Sequence, residues 1–433
     1  MQLRYGLDER PPLSVTFIYG LQWFAIAIPT IIIIGRVTGS LQSGPDINQT
    51  AYLQKVVFIM GLTLLVQLVW GHRLPIIAGP ATVLLVGIVS SAGIDPAAIS
   101  SAIIAGGLML AILGVTGSFE RLRRLFAGRI IAVVLMLIAF TLSPTVIRLI
   151  AAEIPGAPHG SGPYFAFAFI GAMVLLQCFL RGMWKSTLIL WGMISGTIVY
   201  YLVFAEGITW GSAGRIAPVS GLAGIFPDRL AFDLGVMLSF LICYLALSVN
   251  DLGSIQSVSE LLSAGEGQRR VSRGIALTGA ANLLSGIFGV IGPVNYSLSP
   301  GVIASTGCAS RYALFPAAVL LLLLSFSPAV IFLAQAVPPV LIGSILAYIL
   351  GFQVLAGYSV IPESDKKIRT AIVVAAPVAL GTITAFLPPS ALDPLPSSLR
   401  PLAGNGFVIG VAAAMVLEKA LFGKKVKSES EKP

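Results

Sequence analysis

The chain has 433 residues, of which 56% are hydrophobic and only 10% are charged, and its formal net charge is +9. A soluble domain carries about 25% charged residues, so this chain cannot cover itself with a polar surface in water and needs a lipid bilayer as its solvent. It has three cysteines, none in a CxxC pair, and two histidines, which argues against a disulfide framework and against a zinc or haem site. We therefore expect no metal and no cofactor.

A membrane-spanning helix needs about 20 mostly apolar residues. Suitable apolar runs lie, in chain order, at residues 14–35, 54–70, 98–117, 129–147, 164–181, 186–205, 231–250, 274–290, 313–335, 338–357, 369–388 and 402–422. Residues 75–91 and 291–306 are also apolar, but Gly-Pro pairs and polar residues interrupt them, which indicates broken spans. The sequence thus predicts an all-α polytopic membrane protein of fourteen spans. Its polar first residues, Met1–Pro12, do not resemble a cleavable signal peptide.

Lysine and arginine residues are distributed unevenly over the predicted loops. Loops on one side carry 21 of these residues, and loops on the other side carry 6. Because cytoplasmic loops are enriched in them, we expect both termini in the cytoplasm and the protein in a plasma or inner membrane. The bilayer explains the net positive charge, so we expect no nucleic-acid partner.

The two broken spans share a Gly-Pro pair, at Gly79-Pro80 and at Gly292-Pro293, 213 residues apart. Each is the third span of its half, and seven spans per half is an odd number, so the halves form a 7+7 inverted repeat. Proline removes a backbone donor and favours an extended residue before it. We therefore expect short central strands near 79–83 and 292–297, each followed by a half-helix whose N–H groups face a substrate.

Several motifs along the chain resemble those of the nucleobase/ascorbate transporter family, the xanthine/uracil permeases or nucleobase–cation symporters. They lie at residues 5–12, 20–23, 259–261, 273–274, 286–289, 295–304 and 337–343. The resemblance implies a homodimer in which each subunit has a core domain and a gate domain. The expected core is 1–120 with 231–335, the gate is 121–230 with 336–423, and 424–433 is a cytoplasmic tail. The resemblance places the substrate between the strands of spans 3 and 10, facing span 8.

The chain departs from the family's pattern at the recognition positions. Asn250 stands where span 8 usually carries a substrate-binding Glu, and Leu298 stands where span 10 usually carries Glu or Gln. Thr82 replaces the aromatic residue that stacks on the base, and Trp23 replaces a His in span 1. The family's substrate therefore cannot simply be carried over. The predicted substrate-binding residues are Trp23, Thr30, Thr82, Asn250, Asp251, Tyr296, Ser297 and Leu298.

Asp251 is the one carboxylate in the middle of this predicted site. An ionisable group within the membrane is costly and indicates function, so Asp251 is the candidate for proton or cation coupling. The alternative is a salt bridge or a cap inside the core. Asn250 suits an amide-like ligand edge, although an interhelical hydrogen bond would explain it equally.

No nucleophile–base pair, HExxH motif or Walker motif is present, so the sequence predicts a transporter and not an enzyme. The first hypothesis is proton- or sodium-coupled uptake of a nucleobase or a related heterocycle. The second is an uncoupled or anion carrier of the same fold with another small solute, because half-helix N-termini without nearby Glu residues suit an anion. The third hypothesis is a receptor or scaffold that does not transport, and the two broken spans argue against it.

Overall fold

The computed structural model describes residues 3–42, 49–118, 128–204, 217–222, 224, 229–361, 368–396 and 399–429. Its helices are α1 (Leu13–Gln42), α2 (Gln49–Val69), α3 (Thr82–Ser90), α4 (Pro96–Thr116), α5 (Gly128–Thr141), α6 (Ser143–Ile150), α7 (Ser161–Phe179), α8 (Gly182–Ser186), α9 (Leu188–Phe204), α10 (Leu234–Leu261), α11 (Gly267–Ile287), α12 (Ser299–Thr306), α13 (Phe315–Ser325), α14 (Pro328–Leu333), α15 (Pro339–Ser359), α16 (Ile368–Ala385), α17 (Arg400–Ala403) and α18 (Gly406–Glu429). Two short strands are β1 (Ala78–Pro80) and β2 (Pro293–Asn295).

Within these ranges, eight helical stretches are long and apolar enough to cross a bilayer, and α1 and α10 are the longest of them, with 30 and 28 residues. The protein is therefore a mostly helical, multi-pass membrane protein. The predicted spans 75–91 and 291–306 each contain a strand followed by a short helix. Arg121, Arg123 and Arg124, which are among the 21 basic residues assigned to the cytoplasmic loops, lie outside the described residues.

The prediction of one continuous helix over 313–335 is wrong. The chain bends by 90° between α13 and the segment that begins with α14. Pro328 has no backbone N–H, and it keeps Ser327 out of the helical region, at φ −110° and ψ 81°. The apolar composition of the run concealed this Ser-Pro break.

Helices α4 and α11 pack so closely that their backbones touch. A Cβ atom added at any of four glycines would overlap atoms of the facing helix. These glycines, which we call the glycine seam, are Gly107, Gly114, Gly279 and Gly286. Small residues allow membrane helices to approach this closely. Van der Waals contact then holds the helices together, because in lipid no hydrophobic effect drives them to associate. The α4–α11 pair is therefore a rigid unit.

Most of the other helices pack in two sets. Helices α1, α2, α3, α10 and α13 pack around the α4–α11 pair and around the strands. In the second set, α15 packs against α5, α6 and α7, and α16 packs against α18 and α5.

We predict that Gly279→Ala destabilises the protein by about 1–3 kcal/mol, because the added methyl group overpacks a closed helix interface. Its thermal unfolding midpoint in detergent should fall below that of the wild type. Gly171→Ala in α7 is the matched control, because no atom lies within 4 Å of the added methyl group there. The control should be neutral or slightly stabilising, since alanine favours a helix by roughly 1 kcal/mol over glycine. Equal midpoints for Gly279→Ala and the wild type would contradict the glycine seam.

Candidate substrate site

Strands β1 and β2 pair antiparallel inside the helical bundle and form a two-stranded ribbon. The paired residues are Ala78 with Asn295, Gly79 with Val294, and Pro80 with Pro293. Beyond the strands, Tyr296 N donates to Ile77 O at 2.9 Å, and Ala81 N donates to Gly292 O at 3.0 Å. The ribbon thus pairs backbone groups that the two helix breaks would leave without partners in a bilayer. The sequence predicts extended segments near 79–83 and 292–297; the strands are observed at Ala78–Pro80 and Pro293–Asn295, and residues 82 and 83 already belong to α3.

Each strand leads into a short helix. Helix α3 begins at Thr82 and α12 begins at Ser299, and the antiparallel pairing makes the two helices leave the ribbon at opposite ends. Neither N-cap residue, Ala81 or Leu298, provides a side-chain cap. At α12, however, Ser299 N donates to Tyr296 O at 3.3 Å and Gly301 N donates to Leu298 O at 3.0 Å, and Pro300 has no N–H group. In the described part of the chain, the N–H groups without an acceptor at this junction are those of Ser297 and Leu298, just before the helix.

Tyr296 lies across β1 and explains why residue 79 is glycine. A Cβ atom on Gly79 would overlap the tyrosine ring. The Tyr296 hydroxyl donates to Pro80 O at 3.2 Å and lies beside Thr30 of α1. The Thr30 hydroxyl donates to Ala27 O of its own helix at 3.1 Å. Tyr296 and Thr30 thus hold the ribbon against α1.

Asp251 of α10 is fully buried and binds β2. Its Oδ1 accepts from the backbone N and from Nδ2 of Asn295, at 2.9 and 2.8 Å. Its Oδ2 accepts from Thr278 Oγ1 of α11 at 2.8 Å. Hydrogen bonds to a charged group are stronger than neutral ones, so Asp251 fastens the strand to two helices.

The hydrogen bonds continue to the stretch between α2 and β1. His72 Nδ1 accepts from Leu74 N at 2.9 Å, so the ring is neutral and its Nε2 donates to Asn295 Oδ1 at 3.2 Å. Burial lowers the pKa of His72, which follows the end of α2, to about 3. Gln67 donates to Thr278 Oγ1 at 3.0 Å and accepts from His72 N at 3.3 Å. We call Gln67, His72, Asp251, Thr278 and Asn295 the buried polar network.

Asn250 precedes Asp251 but faces elsewhere, because one residue turns a helical side chain by about 100°. It is half-buried, and its Oδ1 accepts from Ser297 Oγ at 3.2 Å. Ser297 Oγ also lies 2.8 Å from Ser254 Oγ. In the described part of the chain, the amide nitrogen of Asn250 donates to no acceptor, and neither do the backbone N–H groups of Ser297 and Leu298. These groups are free to meet a ligand.

Exposed residues continue from this point along both helices. They are Gly253, Ser257 and Glu260 on α10, Leu298 immediately before α12, and Gly301 and Ser305 on α12. Spacings of three and four place each set on one helix face. Helices α10 and α12 pack against each other, and Ser254 Oγ of α10 contacts Ser297 Oγ two residues before α12 begins. We call the space beside this contact the α10–α12 cleft.

The remaining predicted residues differ in their positions. Trp23 is only 2% exposed and lies within the apolar core. Thr82 is half-buried at the start of α3, and Leu298 is 42% exposed at the start of α12. The structure thus brings Asn250, Ser297 and Leu298 together at the cleft and encloses Asp251 behind the ribbon.

Some residues at the site carry no prediction from sequence. Ser254 follows Asn250 by one helical turn, and this spacing could have indicated a shared face. Thr278, Gln67 and His72 have no comparable signal, because their partners are distant in sequence.

Long apolar helices around two interrupted and paired segments define a membrane transport protein. A model of the permease family that includes the xanthine/uracil permeases matches residues 14–390. The chain belongs to this permease family, whose members are transporters and not enzymes.

Relatives of known name match the chain over almost its whole length. The xanthine permease of Bacillus subtilis is 25% identical over 99% of this chain and 98% of its own. The uric acid permease PucK of the same organism is 25% identical over 95% of both chains. The nucleobase transporter PlUacP of Paenibacillus larvae is 26% identical over 96% of both.

Two solved structures share the fold at lower identity. The transmembrane domain of the cyanobacterial bicarbonate transporter BicA matches with a TM-score of 0.62 and 17% identity, over 86% of this chain and 96% of that one. The murine anion transporter Slc26a9, in its inward-facing state, matches with a TM-score of 0.62 and 11% identity, over 94% of this chain and 69% of that one.

We predict that Asn295→Ala destabilises the protein by about 1–3 kcal/mol, because it takes partners from buried Asp251 and His72. The control is Ser297→Ala, which removes a hydroxyl group at the open cleft and should cost about 1 kcal/mol or less. Thermal unfolding of both purified variants in detergent would compare them. A larger loss for Ser297→Ala would show that the buried polar network does not hold the ribbon.

Proposed function

We propose that this protein is a secondary active transporter that takes up a nucleobase, of the uracil or xanthine kind, or a related heterocycle, together with a proton or another cation. The observation that carries the proposal is the meeting of Asn250 and Ser297 at a strand-to-helix junction, where both leave hydrogen-bonding groups free. An amide side chain suits the amide-like edge of a heterocycle. The relatives named for xanthine, uric acid and nucleobases support this substrate class.

The proposed architecture has fourteen spans in a 7+7 inverted repeat. The antiparallel ribbon supports it, because the strands lie at corresponding positions of the two halves. The two sets of helices support a core domain (1–120 and 231–335) that moves against a gate domain (121–230 and 336–423). Both termini would lie in the cytoplasm of a plasma or inner membrane, and the working unit would be a homodimer.

The buried polar network supports a coupling role for Asp251 that acts through β2. A proton on Asp251 would leave one donor, on Asn295 or Thr278, without its present acceptor. The strand that carries Ser297 into the cleft would then be held less firmly. Asp251 would thus position the site. The direct substrate contact predicted from sequence receives no support, because the carboxylate is fully buried.

An uncoupled or anion carrier of the same fold is the second candidate. The observation in its favour is that, among the described residues, the carboxylate nearest in sequence to Asn250 is enclosed and does not face the cleft. An uncoupled carrier would not respond to imposed proton or sodium gradients, and this difference separates it from the first candidate.

We predict saturable uptake of labelled xanthine, urate or uracil into vesicles that contain the purified protein, with competition by the unlabelled compound. Asn250→Ala should weaken binding of the transported compound by about 1–3 kcal/mol, because it leaves a buried ligand group unpaired. The control is Ser257→Ala, on the same exposed face two turns away, which should bind like the wild type. Uptake of bicarbonate or sulfate without uptake of any heterocycle would favour the second candidate.

We predict that Asp251→Asn folds but loses the dependence of uptake on an imposed proton gradient, because residue 251 can no longer gain and lose a proton. The double variant Asp251→Asn with Asn295→Asp returns a carboxylate to the buried polar network and should restore part of the dependence. Uptake would be measured with proton and sodium gradients imposed separately. Wild-type uptake that ignores both gradients would refute coupled transport.

A further inference from the structure

Residues 4–9, which precede α1, lie beside residues 307–311, which follow α12. The two segments run parallel, and three backbone hydrogen bonds join them. These bonds run from Arg4 N to Gly307 O at 2.7 Å, from Ala309 N to Tyr5 O at 3.0 Å, and from Arg311 N to Leu7 O at 3.1 Å. We call residues 4–9 the strap.

Side chains add to this attachment. Ser310 Oγ donates to Glu9 O at 2.6 Å. The Asp8 carboxylate forms an ion pair with Arg311, with 2.8 Å between Oδ1 and Nε. Arg311 also donates through Nη1 to Leu68 O, near the end of α2, at 3.2 Å. The strap is thus connected both to α2 and to the segment that follows α12.

Helix α12 depends on its two ends for its position. Of its eight residues only Ser299, Val302 and Ile303 are buried, so few buried contacts hold it from the side. One end follows the ribbon. The other end reaches its cap residue, Gly307, whose carbonyl accepts from the strap. The ribbon therefore fixes where α12 begins, and the strap fixes the direction in which it runs.

The direction of α12 determines the shape of the α10–α12 cleft. In the described part of the chain, the backbone N–H groups of Ser297 and Leu298, just before α12, have no acceptor. Asn250 reaches this junction from α10. A tilt of α12 would move these N–H groups relative to Asn250, and a ligand that contacts both helices would lose part of its hydrogen bonding.

From these contacts we infer that the strap is a positioning element of the substrate site, because it holds α12 in the orientation that a ligand in the cleft requires. The inference rests on the proposed function. Gly307 lies roughly 12 Å from the start of α12, which is the length of eight helical residues. The strap therefore acts through α12 and not on the ligand itself.

The test compares two double variants. In the release variant, Arg4→Pro with Asp8→Ala, proline has no N–H to donate to Gly307 O and the ion pair with Arg311 is lost. The control, Arg4→Ala with Asp8→Glu, changes the same two positions but keeps the backbone N–H and the carboxylate. The side chain of Arg4 is exposed, so its removal in the control should have no effect.

Xanthine, urate and uracil would each be titrated by calorimetry into the purified proteins. For each compound that the wild type binds, the release variant should bind about two- to tenfold more weakly, which corresponds to the loss of roughly one hydrogen bond. The control variant should bind like the wild type.

A cysteine lock provides a rescue. Tyr5 lies opposite Cys308, and neighbouring strands are about 4.8 Å apart, which is within the Cα separation that a disulfide spans. Tyr5→Cys in the release variant should therefore form a disulfide with Cys308 on oxidation. The oxidised protein should regain the affinity of the wild type, and reduction should remove it again. A disulfide that forms without recovery of affinity would contradict the inference.

The titration reports affinity separately from the number of binding sites per protein. Fewer sites at wild-type affinity in the release variant would assign the strap to folding and overturn the inference. Equal affinity in all variants would overturn it too, and would leave nucleobase transport standing. A wild type that binds none of the three heterocycles would overturn the proposed function and the inference that rests on it.

Discussion

A backbone amide or carbonyl group inside a bilayer needs a protein partner, because no water is present to bind it. The two interrupted segments meet this requirement together by pairing with each other. Side chains complete the pairing: Asn282 Nδ2 donates to Pro293 O at 2.9 Å, and Ser299 Oγ accepts from Ile77 N at 3.1 Å. Neither segment could remain extended alone. The site therefore exists only after parts of the chain more than 200 residues apart have met.

The ribbon separates two polar environments with different tasks. Behind it, charge and amides are fully enclosed and satisfy one another, which gives rigidity. In front of it, neutral groups keep free donors. Asp251 and Asn250 are neighbours in sequence, but they stand on opposite sides of this division. A carrier that must bind and release its solute gains from this arrangement, because the groups that hold the strand are not the groups that hold the ligand.

The sequence predicts those features whose cause is local. Gly79-Pro80 and Gly292-Pro293 predict the helix breaks because proline acts on its own residue and on the one before it. The direction in which Asp251 faces depends on Asn295, 44 residues away, and the contact of His72 spans 223 residues. No local pattern reports such partners. For the same reason Trp23, an aromatic residue at a recognition position, could not be distinguished from a core residue, and the roles of the site residues stay predictions.

The glycine seam also has a genetic consequence. Any single-nucleotide change in a glycine codon that replaces the residue introduces an amino acid with a Cβ atom. At Gly107, Gly114, Gly279 and Gly286 that atom would overlap the facing helix. No single-nucleotide replacement of these four glycines therefore avoids the overlap. Drift in the gene is confined to positions around them, unless a second change opens space on the opposite helix.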